Sequence, residues 1–225
     1  MKPILFSTTM VQALLNTAPC VWPAEPIDAS KPCKSQTRRV VEDQPPYGFF
    51  RYDGLWSEED DGDGCHYFEQ LLSNGKPTEM YWKVGNPKYK VGDILYVREA
   101  WQENTMHSEG DRRDIPYLYK ADPDGVLLRS WKPSIHMPRE AARLFLEVKS
   151  VRVERVQDIS TIDSIAEGCE MVFGTKRQKY DNNHITIGVA SFAYFWDSIN
   201  AKRGYSWESN PWVFVYEFMR VENDN

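Results

Sequence analysis

The chain is short of the residues that usually announce a chemistry. Cysteine occurs four times in 225 residues, at Cys20, Cys33, Cys65 and Cys169, and no two of these form a CxxC pair. His66 beside Cys65 is the only close Cys/His pair, so no zinc ligand set emerges. Thiols this far apart are expected to be free, in a reducing cytoplasm. No Walker loop, GxSxG elbow, HExxH helix or dinucleotide fingerprint occurs.

Positive charge is also in deficit. Against 33 Asp and Glu stand 27 Lys and Arg, giving a formal net charge of −6. A protein that coats duplex DNA shows a basic footprint, because phosphate neutralisation supplies most of the affinity. Any nucleic-acid contact must therefore be local: a pocket for a base or nucleoside, or a short basic groove. Long apolar runs are missing too. Ser7, Thr8, Thr9 and Gln12 interrupt the apolar patch after Lys2, which makes a poor signal peptide and is far too short to span a membrane.

What is present is ordinary for a globular core: 41% hydrophobic and 27% charged residues, with 8 Trp, 12 Tyr and 10 Phe. Many aromatics fall in turn-rich segments, so most are expected in the core and the remainder along a surface or cleft. A strand is expected at 3–6, then a helix capped by Thr8 or Thr9, with Gln12 completing a capping box and Pro19 ending it near Thr17. Alternation predicts a strand from Thr37. Residues 45–90 differ in character, with an Asp53-Gly54 hairpin signal between Phe49-Phe50-Arg51-Tyr52 and Leu55-Trp56 and an acidic tip at 58–64. In that tip Glu59, Asp61, Asp63 and Gly64 echo an EF-hand loop. Its twelfth position, however, is Gln70, which cannot supply the bidentate carboxylate calcium needs.

Further along, Gly92-Asp93 predicts a turn into a strand at 94–97, with Asp93 fixing the turn through its side chain. His136, between prolines, reads as a hydrogen-bonded structural histidine. Strands are expected at 141–153 and 212–221, and helices at 159–167, ended by Gly168, and 191–201. No repeat or low-complexity linker breaks the chain, so one domain over 1–225 with an insertion at about 45–88 is expected.

One segment stands out against the acidic background. Lys34-Ser35-Gln36-Thr37-Arg38-Arg39 gathers three cations around a threonine hydroxyl. Strict alternation puts Lys34 and Thr37 on opposite faces of a strand. For both to reach one pocket, residues 34–37 must form a turn.

A short helix, then Lys34-x-x-Thr37-x-Arg39, then Gly92-Asp93-Ile94-Leu95-Tyr96-Val97, resembles the ASCH family. The strings Arg98-Glu99-Ala100-Trp101, 131–139 and Arg203-Gly204-Tyr205-Ser206-Trp207 through Asn210-Pro211-Trp212 are similar to a phage and prophage branch of that family. The likeness covers most of the chain except roughly 45–85 and 170–188. It implies an α+β fold built on a PUA-like β-barrel with flanking helices, related to RNA-binding PUA domains. One ASCH subgroup hydrolyses N4-acetylcytidine with a Lys, a Thr three residues later and a Glu near the end of a following helix. Carried over by motif, those are Lys34, Thr37 and Glu167, and Arg39 matches a pocket arginine.

The residue chemistry supports two readings. Amide hydrolysis needs a nucleophile, a proton acceptor and oxyanion stabilisation. Thr37, a Lys34 whose proton affinity is lowered by burial and neighbouring arginines, Glu167 as relay and Arg39 as oxyanion holder would fill those roles. The alternative is a non-catalytic reader of RNA or modified bases. There Arg38, Arg39 and Glu99 contact polar edges, and Trp101, Tyr205 and Trp207, with Tyr96, stack on bases. A weaker reading, by family likeness, is a ribonuclease. The expected partner is a nucleoside or single-stranded nucleic acid, with no membrane, cofactor or metal.

Overall fold

A computed structural model describes residues 1–17, 33–45, 49–55, 66–104, 116–122, 130–169 and 187–222. In chain order the elements are β1 (Lys2–Leu5), α1 (Thr8–Leu15), β2 (Gln36–Val40), β3 (Phe49–Leu55), β4 (His66–Leu71), β5 (Pro77–Val84), β6 (Ile94–Arg98), β7 (Trp101–Glu103), β8 (Tyr117–Tyr119), β9 (Phe145–Arg155), α2 (Thr161–Ala166), α3 (Ile187–Asn200) and β10 (Trp212–Val221). The chain is thus α+β. Among the described residues, no helix is long and apolar enough to cross a membrane.

The main sheet runs β1-β6-β9-β10-β2. β1 is parallel to β6 and every other pairing is antiparallel. As described, the sheet is open, with β1 and β2 at its edges. Strand β10 shows how the sequence builds two cores on one sheet. Trp212, Phe214, Tyr216 and Phe218 join Ile4, Leu95 and the α1 residues Met10, Val11 and Leu14 on one face. Val213 and Val215 meet Phe192, Trp196 and Trp207 on the other. This is the period-two pattern legible in the sequence, with each face apolar because each is covered by a helix.

Three local expectations need correction. Helix α1 is capped by Ser7, whose hydroxyl accepts from the Met10 amide at 3.4 Å; Thr8 and Thr9 are already helical. Gln12 makes no capping box and instead donates to the Ala121 carbonyl at 3.5 Å. Asp53-Gly54 is not a hairpin tip. Both lie within β3, where the register against β4 slips between Tyr52 and Gly54, the mark of a β-bulge. The tight connection lies between β4 and β5, where Gly75 takes a φ of 78° after Asn74. Nor do residues 34–37 turn. Lys34 forms an isolated bridge to Glu167, and the chain is extended again from Gln36.

Strands β3, β4 and β5 form a separate sheet within the segment read as an aromatic insertion. Phe68 of this sheet is buried against Trp212 of β10, ring centroids 4.4 Å apart. The acidic tip at 58–64 lies outside the described residues, as do Cys20 and Cys65. Strands β7 and β8 pair beside a small core of Trp101, Met137 and Ala141.

Candidate functional site

Strand β2 carries different chemistry on its two sides. Its register against β10 places Thr37 opposite Tyr216 and Arg39 opposite Phe214, on the α1 face. Gln36 and Arg38 point the other way, opposite Glu217 and Val215, toward α2 and α3. Adjacent arginines therefore enter two unlike environments.

The Arg38 side is a closed ion-pair cluster. Ser160 caps α2 and forms a reciprocal box with Asp163. The helix then ends at Glu167 because Gly168 adopts a φ of 80°. A side chain at 168 would also put its Cβ 2.9 Å from the Ala13 Cβ, so only glycine fits. This stop sets Glu167 opposite Lys34. The Lys34 ammonium donates to the Gln36 carbonyl at 2.8 Å, the Glu167 carbonyl at 2.7 Å and Glu167 Oε2 at 3.1 Å. Its backbone is held by Thr17 Oγ1, at 3.0 and 3.1 Å. The other carboxylate oxygen of Glu167 accepts from Arg38 Nη1 at 3.0 Å. Arg38 also donates to Glu154 through Nε at 3.0 Å and through Nη2 at 2.5 Å, and Asp163 lies 3.7 Å away. Arg152 extends the cluster to Glu154 at 3.1 Å, Asp163 at 3.5 Å and Glu217.

Burial pulls the Lys34 ammonium below its ordinary proton affinity, against the carboxylate of Glu167 and Cys169, while Arg39 pulls the same way as burial. Lys34 and Glu167 are both buried, at 0% and 3% exposure. Lys34 and Glu167 are in direct contact and do not face each other across an open cavity. Thr37 is buried on the α1 face and makes no hydrogen bond to either.

The Arg39 side opens into a cleft of about 500 Å³. It lies where the two edges of the sheet approach: Arg39 Nη2 on β2 donates to the Leu5 carbonyl on β1 at 3.0 Å. Phe6 follows directly and contacts both cations, with Lys34 Nζ 5.2 Å and Arg39 Cζ 5.7 Å from its ring centre. Val41, Phe214, Tyr216 and Tyr89 form an apolar floor beneath a charged rim of Arg39, Lys88, Arg203, Glu42 and Asp43. The floor hydroxyls are fixed. Tyr89 donates to the Pro3 carbonyl at 2.7 Å, and Tyr216 accepts from the Lys88 amide at 3.1 Å. Burial raises both phenols, Tyr216 to about 12, so they stay neutral at physiological pH.

Arg39 is half-buried and borders the cleft. Burial lowers its proton affinity; Glu167, Tyr89 and Tyr216 oppose this, and Arg203 adds to it. A guanidinium nonetheless stays charged at any physiological pH.

The remaining residues singled out from sequence do not gather at this cleft. Glu99 is buried and held bidentately by Arg143, at 2.9 and 3.0 Å. Arg143 in turn pairs with Asp122 at 2.5 Å and lies over the Tyr119 ring at 3.9 Å. Trp101 packs into the Met137 core, with Lys132 Nζ 4.8 Å from its ring centre. Trp207 is buried edge-on against Phe192, and the Tyr205 carbonyl accepts from the Trp196 indole at 2.8 Å. Tyr96 is buried and His136 exposed. Asp93 does fix its turn, accepting from the Lys90 amide at 2.7 Å.

Sequence reasoning missed Lys88, Tyr89 and Glu42-Asp43 and did not weigh Arg203 as a site residue. Only their convergence from distant segments marks them. Among the described residues, no group of three or more His, Cys, Asp or Glu side chains is placed to hold a metal ion. The chain matches no protein-family model, no curated protein and no solved structure.

Proposed function

We propose that this chain is a nucleoside-binding protein of the ASCH type. In this reading the sheet is a PUA-like barrel whose mouth is the cleft between β1 and β2. The observation that carries it is the cleft itself, about 500 Å³ with an apolar, aromatic floor and a rim bearing cations and carboxylates. That volume is in the range of small-ligand sites, roughly 300–1,000 Å³. Carboxylates such as Glu42 and Asp43 suit the exocyclic amine of a base. The acidic balance of the chain agrees with a local ligand, a nucleoside or the end of a single strand, over a duplex.

Removal of an N-acyl group from a modified cytidine is the second reading. Its support is the contact between Lys34 and Glu167 and the burial that weakens the Lys34 ammonium. For that chemistry Lys34 must release its three acceptors and Thr37 must reach the bound ligand.

Calorimetric titration with cytidine, N4-acetylcytidine and short single-stranded oligonucleotides tests both, together with acetate release from the acetylated nucleoside. Binding without release supports a reader. Acetate release that disappears in Lys34→Ala and Thr37→Ala while binding persists supports the hydrolase. If neither the nucleosides nor the oligonucleotides bind, the proposal is wrong.

A further inference from the structure

Three arginines around the main sheet are matched to carboxylates, whereas the half-buried Arg98, Arg155 and Arg220 donate to backbone carbonyls. Arg38 reaches Glu154, Asp163 and Glu167; Arg143 holds Glu99 and Asp122; Arg152 reaches Glu154, Asp163 and Glu217. The cleft rim gathers three cations around one cavity. Among the described residues, Arg39, Arg203 and Lys88 form no ion pair, although Glu42 and Asp43 line the same cleft. Arg39 gives one hydrogen bond to the Leu5 carbonyl, and Arg203 one to Asn200 Oδ1 at 3.2 Å. Most of their N–H donors remain unused.

Both guanidinium groups are nevertheless positioned. Arg39 is fixed over Phe6 at 5.7 Å, and Arg203 lies 5.9 Å from the Tyr205 ring centre. Arg203 ends the short 3-10 turn Ala201–Arg203, which Gly204 stops with a φ of 88°. Lys88 likewise carries its ammonium 5.5 Å from the centre of the Tyr89 ring. Like charges directed into one partly desolvated cleft repel unless an anion lies between them. Guanidinium pairs match the oxygens of a phosphate better than those of a neutral sugar.

We infer that Arg39, Arg203 and Lys88 form a seat for a phosphate monoester. Resting on the nucleoside reading above, this makes the ligand a nucleotide, either free or as the 5′-phosphorylated end of a single strand. The base then lies toward Glu42 and Asp43 and the phosphate at the cationic side. The selection is electrostatic, so it weakens with added salt.

The test is titration of the intact protein with cytidine, cytidine 5′-monophosphate, ribose 5-phosphate and a tetranucleotide with or without its 5′-phosphate. The monophosphate is expected to bind at least about tenfold more tightly than cytidine, the increment of one or two charge-assisted hydrogen bonds. Arg203→Ala and Lys88→Ala, both at exposed positions, are expected to reduce that ratio to about twofold. Arg39→Ala should abolish it, with a thermal melt run alongside to show that the variant is folded. A preference confined to the phosphorylated tetranucleotide assigns the seat to strand ends; one shared with the monophosphate assigns it to free nucleotides. Equal binding of cytidine and its monophosphate, or an Arg203→Ala variant that weakens both alike, overturns the phosphate seat and leaves nucleoside binding standing. Ribose 5-phosphate bound as tightly as the monophosphate keeps the seat and removes the nucleoside reading. No binding by any of them overturns both.

Discussion

Arg38 and Arg39 are neighbours in one strand and differ in almost every other respect. Arg38 is sealed between the sheet and α2, with three carboxylates around it and the Phe192 ring 5.6 Å from its Cζ. Arg39 faces the seam between the sheet edges and has a backbone carbonyl and a ring for company. The period-two geometry of a strand sends consecutive side chains to opposite faces, so identical residues acquire opposite tasks. One is neutralised inside the fold, and the other keeps its charge at the edge of the cleft.

The sharpest way to break this contrast is to disturb the closed side. Glu167→Ala strips a carboxylate from two buried cations and is expected to destabilise the fold by roughly 3–5 kcal/mol in urea denaturation. The double variant Lys34→Met/Glu167→Met should recover part of that loss, because it removes one of the two stranded cations while Arg38 keeps Glu154. A cost in the double variant as large as in the single would mean that the ion pair itself is required.

Arg38→Gln and Arg39→Gln compare the two sides directly. The first should cost about 3 kcal/mol through its unpaired acids, the second about 1 kcal/mol for one hydrogen bond. Equal losses in denaturant midpoint would sink the division into structural and ligand-facing arginines. Gly168→Ala tests the stop that places Glu167. Positive φ and a contact 2.9 Å from Ala13 should together cost about 2 kcal/mol.

The smallest effect expected is in acid. Burial tends to raise Asp163, but hydrogen bonds from Ser160 and Gln36 and the charge of Arg38 outweigh it and hold the carboxyl below its ordinary value of 3.8. The unfolded chain therefore takes up the proton first as pH falls. The stabilisation is present above 3.8 and disappears as pH drops through the lower, folded value. In melts from about pH 5 to about pH 2, the gap between wild type and Asp163→Asn should close as acid is added. A gap constant across that range would show that this carboxyl does not carry the acid sensitivity.

Much of the framework is legible in the sequence because local rules settle it. The alternation of β10 gives its two faces, Gly168 ends α2, and Asp93 fixes its turn. Local rules misled where two structures share one signal. Asp-Gly serves a hairpin or a bulge, and adjacent serine and threonines compete for one cap. Trp207 looked as fit for stacking as for packing, and burial chose packing.

The cleft belongs to the other category. The sequence determined that cations cluster at 34–39, that the chain is too acidic for a broad nucleic-acid surface, and that strand and helix periods alternate as they do. It could not determine which cations would find acids. That depends on Arg39 from β2, Lys88 before β6 and Arg203 after α3 meeting at the seam where Leu5 of β1 accepts from Arg39. Ion pairing is decided by distances between segments far apart in the chain. Only the packed sheet, curved so that its edges approach, sets those distances.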